Sequence, residues 1–133
     1  MTRNQKLIYL AGLIDGDGCF NVTRVRASFV PRILIVNTDK NVMEWLVENF
    51  GGDCTKTSVK NKINWKPRYT WRLSHKKALD LATELEPYLI IKQKAAEIFV
   101  LWSVIQEEFK PLDRKSFYEI LKERMAILNL KGI

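Results

Sequence analysis

The chain has 133 residues, the length of one ordinary domain, and 47% of them are apolar, so residues 1–133 are expected to fold as one packed unit and extended disorder is excluded. Its 22 basic and 15 acidic residues give a formal charge of +7, which favours a polyanionic partner without naming it; a merely soluble basic protein has the same balance. The longest apolar stretches, 7–14 and 98–105, are too short or too interrupted to cross a bilayer, so no membrane partner is expected. The polar start Met1-Thr-Arg-Asn-Gln-Lys leads straight into an amphipathic segment, which reads as an intracellular protein without a signal peptide. Cys19 and Cys54 are far apart and match no metal-ligand spacing, as expected of ordinary reduced cysteines.

Residues 5–15 are predicted to be helical, because Leu7, Leu10, Ala11 and Ile14 recur at helical spacing. The stop is expected at Asp15-Gly16-Asp17-Gly18, where two glycines around an acid favour a left-handed exit. Phe20-Asn21-Val22-Thr23 alternates apolar with polar as a half-buried strand does, and the phase shift through Arg24-Val25-Arg26 suggests a bulge. Pro31 marks a turn or an edge, and residues 32–37 (RILIVN) form a second strand apolar enough to be central. Thr38 or Asp39 can cap a helix carrying Val42, Trp45, Leu46 and Phe50, which Gly51-Gly52 closes. Two more strands are predicted at about 53–60 and 68–74, with a loop through 61–67. Ser74 can cap a third helix with Ala78, Leu81, Ala82 and Leu85 on one face, ended by Pro87. Two further helices, about 93–109 and 114–128, are separated by Pro111. Two hairpins with helices between and after them point to an α+β fold, one antiparallel sheet with its helices on one face. The other face must be solvated or bound.

The polar positions of the predicted strands carry Asn21, Thr23, Arg26, Ser28, Arg32, Lys56, Ser58, Lys60, Arg68, Thr70 and Arg72. Between Asp17 and Lys77 the only acids are Asp39, Glu44, Glu48 and Asp53, all assigned to the second helix or its flanks. A solvated face ordinarily mixes signs. One made of Arg, Lys, Asn, Ser and Thr offers the groups that contact phosphates and base edges, and a twisted antiparallel ribbon fits the major groove. A strand of about eight residues at roughly 3.3 Å each covers some eight base pairs.

The segment Leu10-Ala-Gly-Leu-Ile-Asp-Gly-Asp-Gly18 resembles the LAGLIDADG signature of homing endonucleases at eight of nine positions, with Gly16 in place of alanine. Ala11 and Gly12 are small, which lets two copies of the helix approach backbone to backbone. Asp15 and Asp17 are two residues apart and cannot share a helical face, so they take separate roles. The resemblance implies the family's αββαββα core with a saddle-shaped antiparallel sheet, here with extra C-terminal helices. It implies that Asp15 stabilises the helix end and the interface. Asp17 is then the ligand of the catalytic metal, with the Gly16 carbonyl as a further ligand. Asn37 follows the second strand where the family often has Gln or Asn positioning water. Lys92, in Lys92-Gln93-Lys94, resembles a lysine near the scissile phosphate in the single-motif algal chloroplast enzymes. Those enzymes also carry an arginine a few residues past the Asn37 position; here Thr38-Asp39-Lys40-Asn41 offers only Lys40. Lys131, beside Asn129-Leu130, resembles their phosphate-contacting tail.

His75 is the lone histidine and reads as a surface residue, so no Ser–His–Asp or Cys–His set can be built. One motif per chain gives one Asp17, and cutting two strands needs two active centres, so a C2 homodimer is implied. Its expected interface is Leu10, Ala11, Gly12, Ile14 and Asp15. The activity implied is a staggered double-strand cut in a long pseudo-palindromic DNA site. Mg2+ is the expected cofactor, with Mn2+ or Ca2+ able to occupy the site and Ca2+ not supporting cleavage; no small-molecule cofactor is expected. An intron RNA-splicing maturase and a non-cleaving DNA-binding protein remain alternatives on the same fold.

Overall fold

A computed structural model describes residues 1–57 and 67–130. The first part of the chain runs α1 (Arg3–Asp17), β1 (Gly18–Val25), β2 (Ser28–Asn37), α2 (Lys40–Phe50), β3 (Asp53–Thr57) and β4 (Arg68–Ser74). It continues through α3 (Lys76–Leu85), a 3-10 turn (Glu86–Tyr88), α4 (Gln93–Glu108) and α5 (Pro111–Leu130). The fold is α+β, as expected: four antiparallel strands form one open sheet in the order β1-β2-β4-β3, and the helices cover one of its faces.

The core lies between that face and the helices. Leu7, Leu10, Ala11 and Ile14 of α1 meet Phe20, Ile33, Ile35, Trp71 and Leu73 of the sheet. Trp71 is fully buried and its indole N–H donates to the Gly51 carbonyl at 2.8 Å, which joins β4 to the end of α2. Phe20 meets Phe99 edge-on, and Trp102 stacks on Tyr118, which ties α4 to α5.

Several local expectations need correction. The first helix starts two residues early, because Thr2 and Gln5 form a capping box. It also runs through Asp17 and exits in an extended conformation at Gly18, φ −98°, not a left-handed one. Glycine is needed there for proximity: a Cβ on Gly18 would lie 2.6 Å from the Ile14 Cα. The β1–β2 register is unbroken from Gly18↔Ile35 to Val25↔Ser28, so no bulge occurs, and Arg26 belongs to the two-residue turn with φ 58°. Pro31 lies inside the central strand β2. Its carbonyl accepts from His75 N just past the end of β4. The missing proline N–H faces the same side, where no strand remains to receive it. Asp39, not Thr38, caps α2 through Val42 N. Ser74 is the last residue of β4, and the N-cap of α3 is His75, φ 62°, without a side-chain bond.

Candidate functional site

The end of α1 is held by a reciprocal clamp. The Asp15 carboxylate accepts from the backbone N–H of Ile90 at 2.8 Å and of Lys92 at 3.0 Å. In return the Lys92 ammonium donates to the Ile14 carbonyl at 2.8 Å and, in a very short contact, to the Gly18 carbonyl. Lys92 therefore sits at the C-terminal end of α1, sharing the Ile14 carbonyl with the Gly18 N–H, and a cation there complements the helix dipole. The lysine read from the sequence as a phosphate neighbour spends its ammonium chiefly on this helix end.

Asp17, one turn-fraction further on, is exposed. Asn37 Nδ2 donates to its Oδ2 at 3.3 Å, while Asn37 Oδ1 accepts from Asp39 N at 2.8 Å. Asn37 is thus locked by the α2 cap and in turn steadies Asp17. Lys40 points its charge at Glu44, 3.7 Å away, and does not join this group. Cys19 is half-buried next to the site; burial raises its pKa, and the nearby Lys92 charge opposes that shift. His75 is exposed at the start of α3 and takes no part.

Among the described residues no three His, Cys, Asp or Glu side chains gather to form a closed cation cage. Asp17 and the exposed Gly16 offer one carboxylate and one carbonyl, the partial set suited to a hard cation that also takes waters and phosphate oxygens. The donor set fits Mg2+ in that limited sense and does not fit a soft or fully enclosed metal.

The exposed face of α1 differs from the expected interface. Leu10, Ala11 and Ile14 are at most 1% exposed and are consumed by this chain's own core, so no partner can reach them. Asp15 is occupied by the Ile90–Lys92 backbone. Only Gly12 of the expected set is open. A shallow hollow there is lined by Ile8, Tyr9, Gly12, Leu13, Gly16 and Asp17. A Cβ on Gly12 or on Gly16 would meet nothing within 4 Å, so the helix backbone is bare along this line.

The sheet face away from the helices follows from the register, since directly paired residues share a face. It carries Cys19, Asn21, Thr23 and Val25 on β1, Ser28, Val30, Arg32, Leu34 and Val36 on β2, and Arg68, Thr70, Arg72 and Ser74 on β4. Asp53, Thr55 and Thr57 of β3 complete it. Lys56 pairs with Tyr69 and so lies on the helix side, one position out of phase with the sequence expectation. Arg26 is at the hairpin tip, and Asp53 places an acid on the face opposite Arg72. Ser58, Lys60 and Lys131 lie outside the described residues. The Nε atoms of Arg32 and Arg72 are buried and have no hydrogen-bond partner among the described residues.

A family model described as LAGLIDADG endonuclease matches residues 10–106, which include α1 from Leu10, all four strands and most of α4. The chain belongs to the LAGLIDADG endonuclease family. Solved structures share its fold over nearly the whole chain. The homing endonuclease I-CvuI, in complex with its target and Ca, is 18% identical with a TM-score of 0.75, covering 94% of this chain and 82% of its own. The archaeal intron-encoded homing endonuclease I-Vdi141I, complexed with DNA, is 16% identical with a TM-score of 0.73, covering 96% and 86%. The LAGLIDADG meganuclease I-AabMI, bound to uncleaved DNA, is 20% identical with a TM-score of 0.63, covering 87% of this chain but 43% of its own. No curated protein matches the chain. Among the described residues no helix is long and apolar enough to cross a membrane.

The two acids of the LAGLIDADG motif should separate in a stability measurement. Asp15→Ala removes two charge-assisted bonds from backbone donors, one of them part-buried, and is expected to cost about 2–3 kcal/mol. Asp17→Asn alters an exposed side chain with one long contact and should stay within about 0.5 kcal/mol of wild type. Urea unfolding of both variants checks this; equal losses would remove the division of roles.

Proposed function

We propose that this chain is a site-specific DNA endonuclease acting as a homodimer, in which each subunit supplies one Asp17 and one sheet face. The observation that carries the reading is the position of Asp17. It stands exposed at the end of α1, on the rim of a bare Gly12–Gly16 helix face and at the end of the sheet where β1 begins and β2 finishes at Asn37. Two such helices packed face to face would bring two Asp17 carboxylates together, each continuous with its own sheet face. The I-AabMI match supports a need for two copies, because this fold accounts for less than half of that chain.

Asp17 and the Gly16 carbonyl would hold a divalent cation, Mg2+ being the best fit. Such an ion supplies charge neutralisation at the phosphate and a more acidic water. Asn37 keeps one Asp17 oxygen oriented, and Lys92 fixes the helix end that carries both ligands. Arg32, Arg68 and Arg72, with Asn21, Thr23, Ser28 and Thr70, line the face that would enter the major groove. The product would be a staggered break in a long pseudo-palindromic duplex.

Asp17→Asn should abolish cleavage of plasmid carrying the site in Mg2+, while binding in gel shifts stays equal or becomes tighter through loss of a charge near phosphate. Residual nicking by homogeneous variant protein would refute the assignment. Gly12→Leu should fill the bare face and prevent pairing of the helices. Sedimentation of wild type should give about twice the 15.5 kDa chain mass, and of Gly12→Leu the single-chain value. A wild-type protein that stays monomeric both free and on DNA would end the dimer reading.

A further inference from the structure

The sheet face away from the helices is not uniformly polar. Along β2 it carries Ser28, Val30, Arg32, Leu34 and Val36, of which Val30 is buried. Val30, Leu34 and Val36 stand outside the apolar cluster beneath the helices, whereas Val22, Phe29 and Tyr69 of the opposite face pack against it. Val36 is 45% exposed although β2 is paired on both sides, so its side chain alone faces outward.

Cross-strand pairing arranges this face in rows. Leu34 lies between Cys19 and Arg72, and Val36 lies beside Thr70, with Thr55 next. The adjoining row is Asn21, Arg32 and Ser74. Thiol, methyl and branched aliphatic groups thus lie at the end next to Asn37 and Asp17, with Arg72 and its pairing partner Asp53 on their β3 side. Amide and guanidinium groups follow farther out.

We propose that Leu34 and Val36, assisted by Cys19 and the Thr70 methyl group, recognise thymine methyl groups in the inner base pairs of each half-site. Asn21 and Arg32 then read purines in the next base pairs outward. The proposal rests on the sheet being the DNA-reading surface. In the major groove thymine is distinguished by its C5 methyl group, which apolar side chains contact, while guanine and adenine present acceptors suited to arginine and asparagine. Leu34 and Val36 can form no base-edge hydrogen bond, so shape and burial are all they can contribute. Arg32 has the opposite requirement: its guanidinium carries only donors, and its Nε has no hydrogen-bond partner among the described residues. The rows map onto DNA by distance from Asn37. At about 3.3 Å per residue Leu34 is roughly 10 Å away and Arg32 roughly 17 Å, or about three and five base-pair steps of about 3.4 Å.

The probe is a pool of random-sequence duplexes, selected for binding to the full chain in EDTA so that no DNA is cut. In the selected sites each thymine is then replaced singly by deoxyuridine, which removes only the methyl group. Thymine should be enriched at the inner positions, and each deoxyuridine there should weaken binding about fourfold, the worth of one buried CH2 unit. The Leu34→Ser/Val36→Ser variant should lose that sensitivity and keep its outer preferences. Arg32→Ala should relax only an outer position. If deoxyuridine is tolerated at the inner positions, or thymine is not enriched, while Arg32→Ala still alters an outer preference, the methyl reading is overturned and sheet reading stands. If no sheet variant changes any preference, both fall. The deoxyuridine scan uses wild-type protein, so it decides the matter even if the double variant does not fold.

Discussion

The exchange between Asp15 and Lys92 is the constraint on which the rest of the structure depends. A helix ends in carbonyl oxygens without partners and in the negative end of its dipole, and the motif asks two aspartates to occupy that same end. The chain resolves the conflict by spending one acid and importing one cation. Asp15 grips the backbone of Ile90 and Lys92, which fixes the start of α4; Lys92 then caps α1 and touches the first residue of β1. Helix, sheet and α4 are joined at one point, and Asp17 is left exposed there with its orientation steadied by Asn37.

Much of α1 was legible in the sequence, and its limits are instructive. Periodicity identified Leu7, Leu10, Ala11 and Ile14 as one face, and all four are buried. The same burial makes all four unavailable to a second chain, including Leu10, Ala11 and Ile14 of the expected interface, so the surface open to a partner is what remains: Ile8, Tyr9, Gly12, Leu13 and Gly16. Glycine was read as a conformational stop, whereas Gly18 is required because β1 passes within contact of Ile14. Sequence signals report that a glycine matters more readily than they report why. The clamp itself links residues 74–78 positions apart, and no local pattern carries such a contact.

Strand existence was legible on the sheet, and strand parity only in part. Phe20, Ile33, Ile35, Trp71 and Leu73 mark the buried side of three strands unambiguously. In β3, Asp53-Cys54-Thr55-Lys56-Thr57 is exposed throughout and has no apolar alternation to fix its phase, so Lys56 was placed on the wrong face. Leu34 and Val36 were read as evidence of a central strand, which is correct, but their direction follows only from pairing with Arg72 and Thr70.

The central claim is one acid per subunit and two subunits per cut site. The most direct test is a mixed dimer with one wild-type and one Asp17→Asn chain, purified by two different tags and given supercoiled plasmid with Mg2+. If each Asp17 serves one strand, the mixed dimer nicks the plasmid and does not linearise it. Linearisation by the mixed dimer at the wild-type rate would contradict the account.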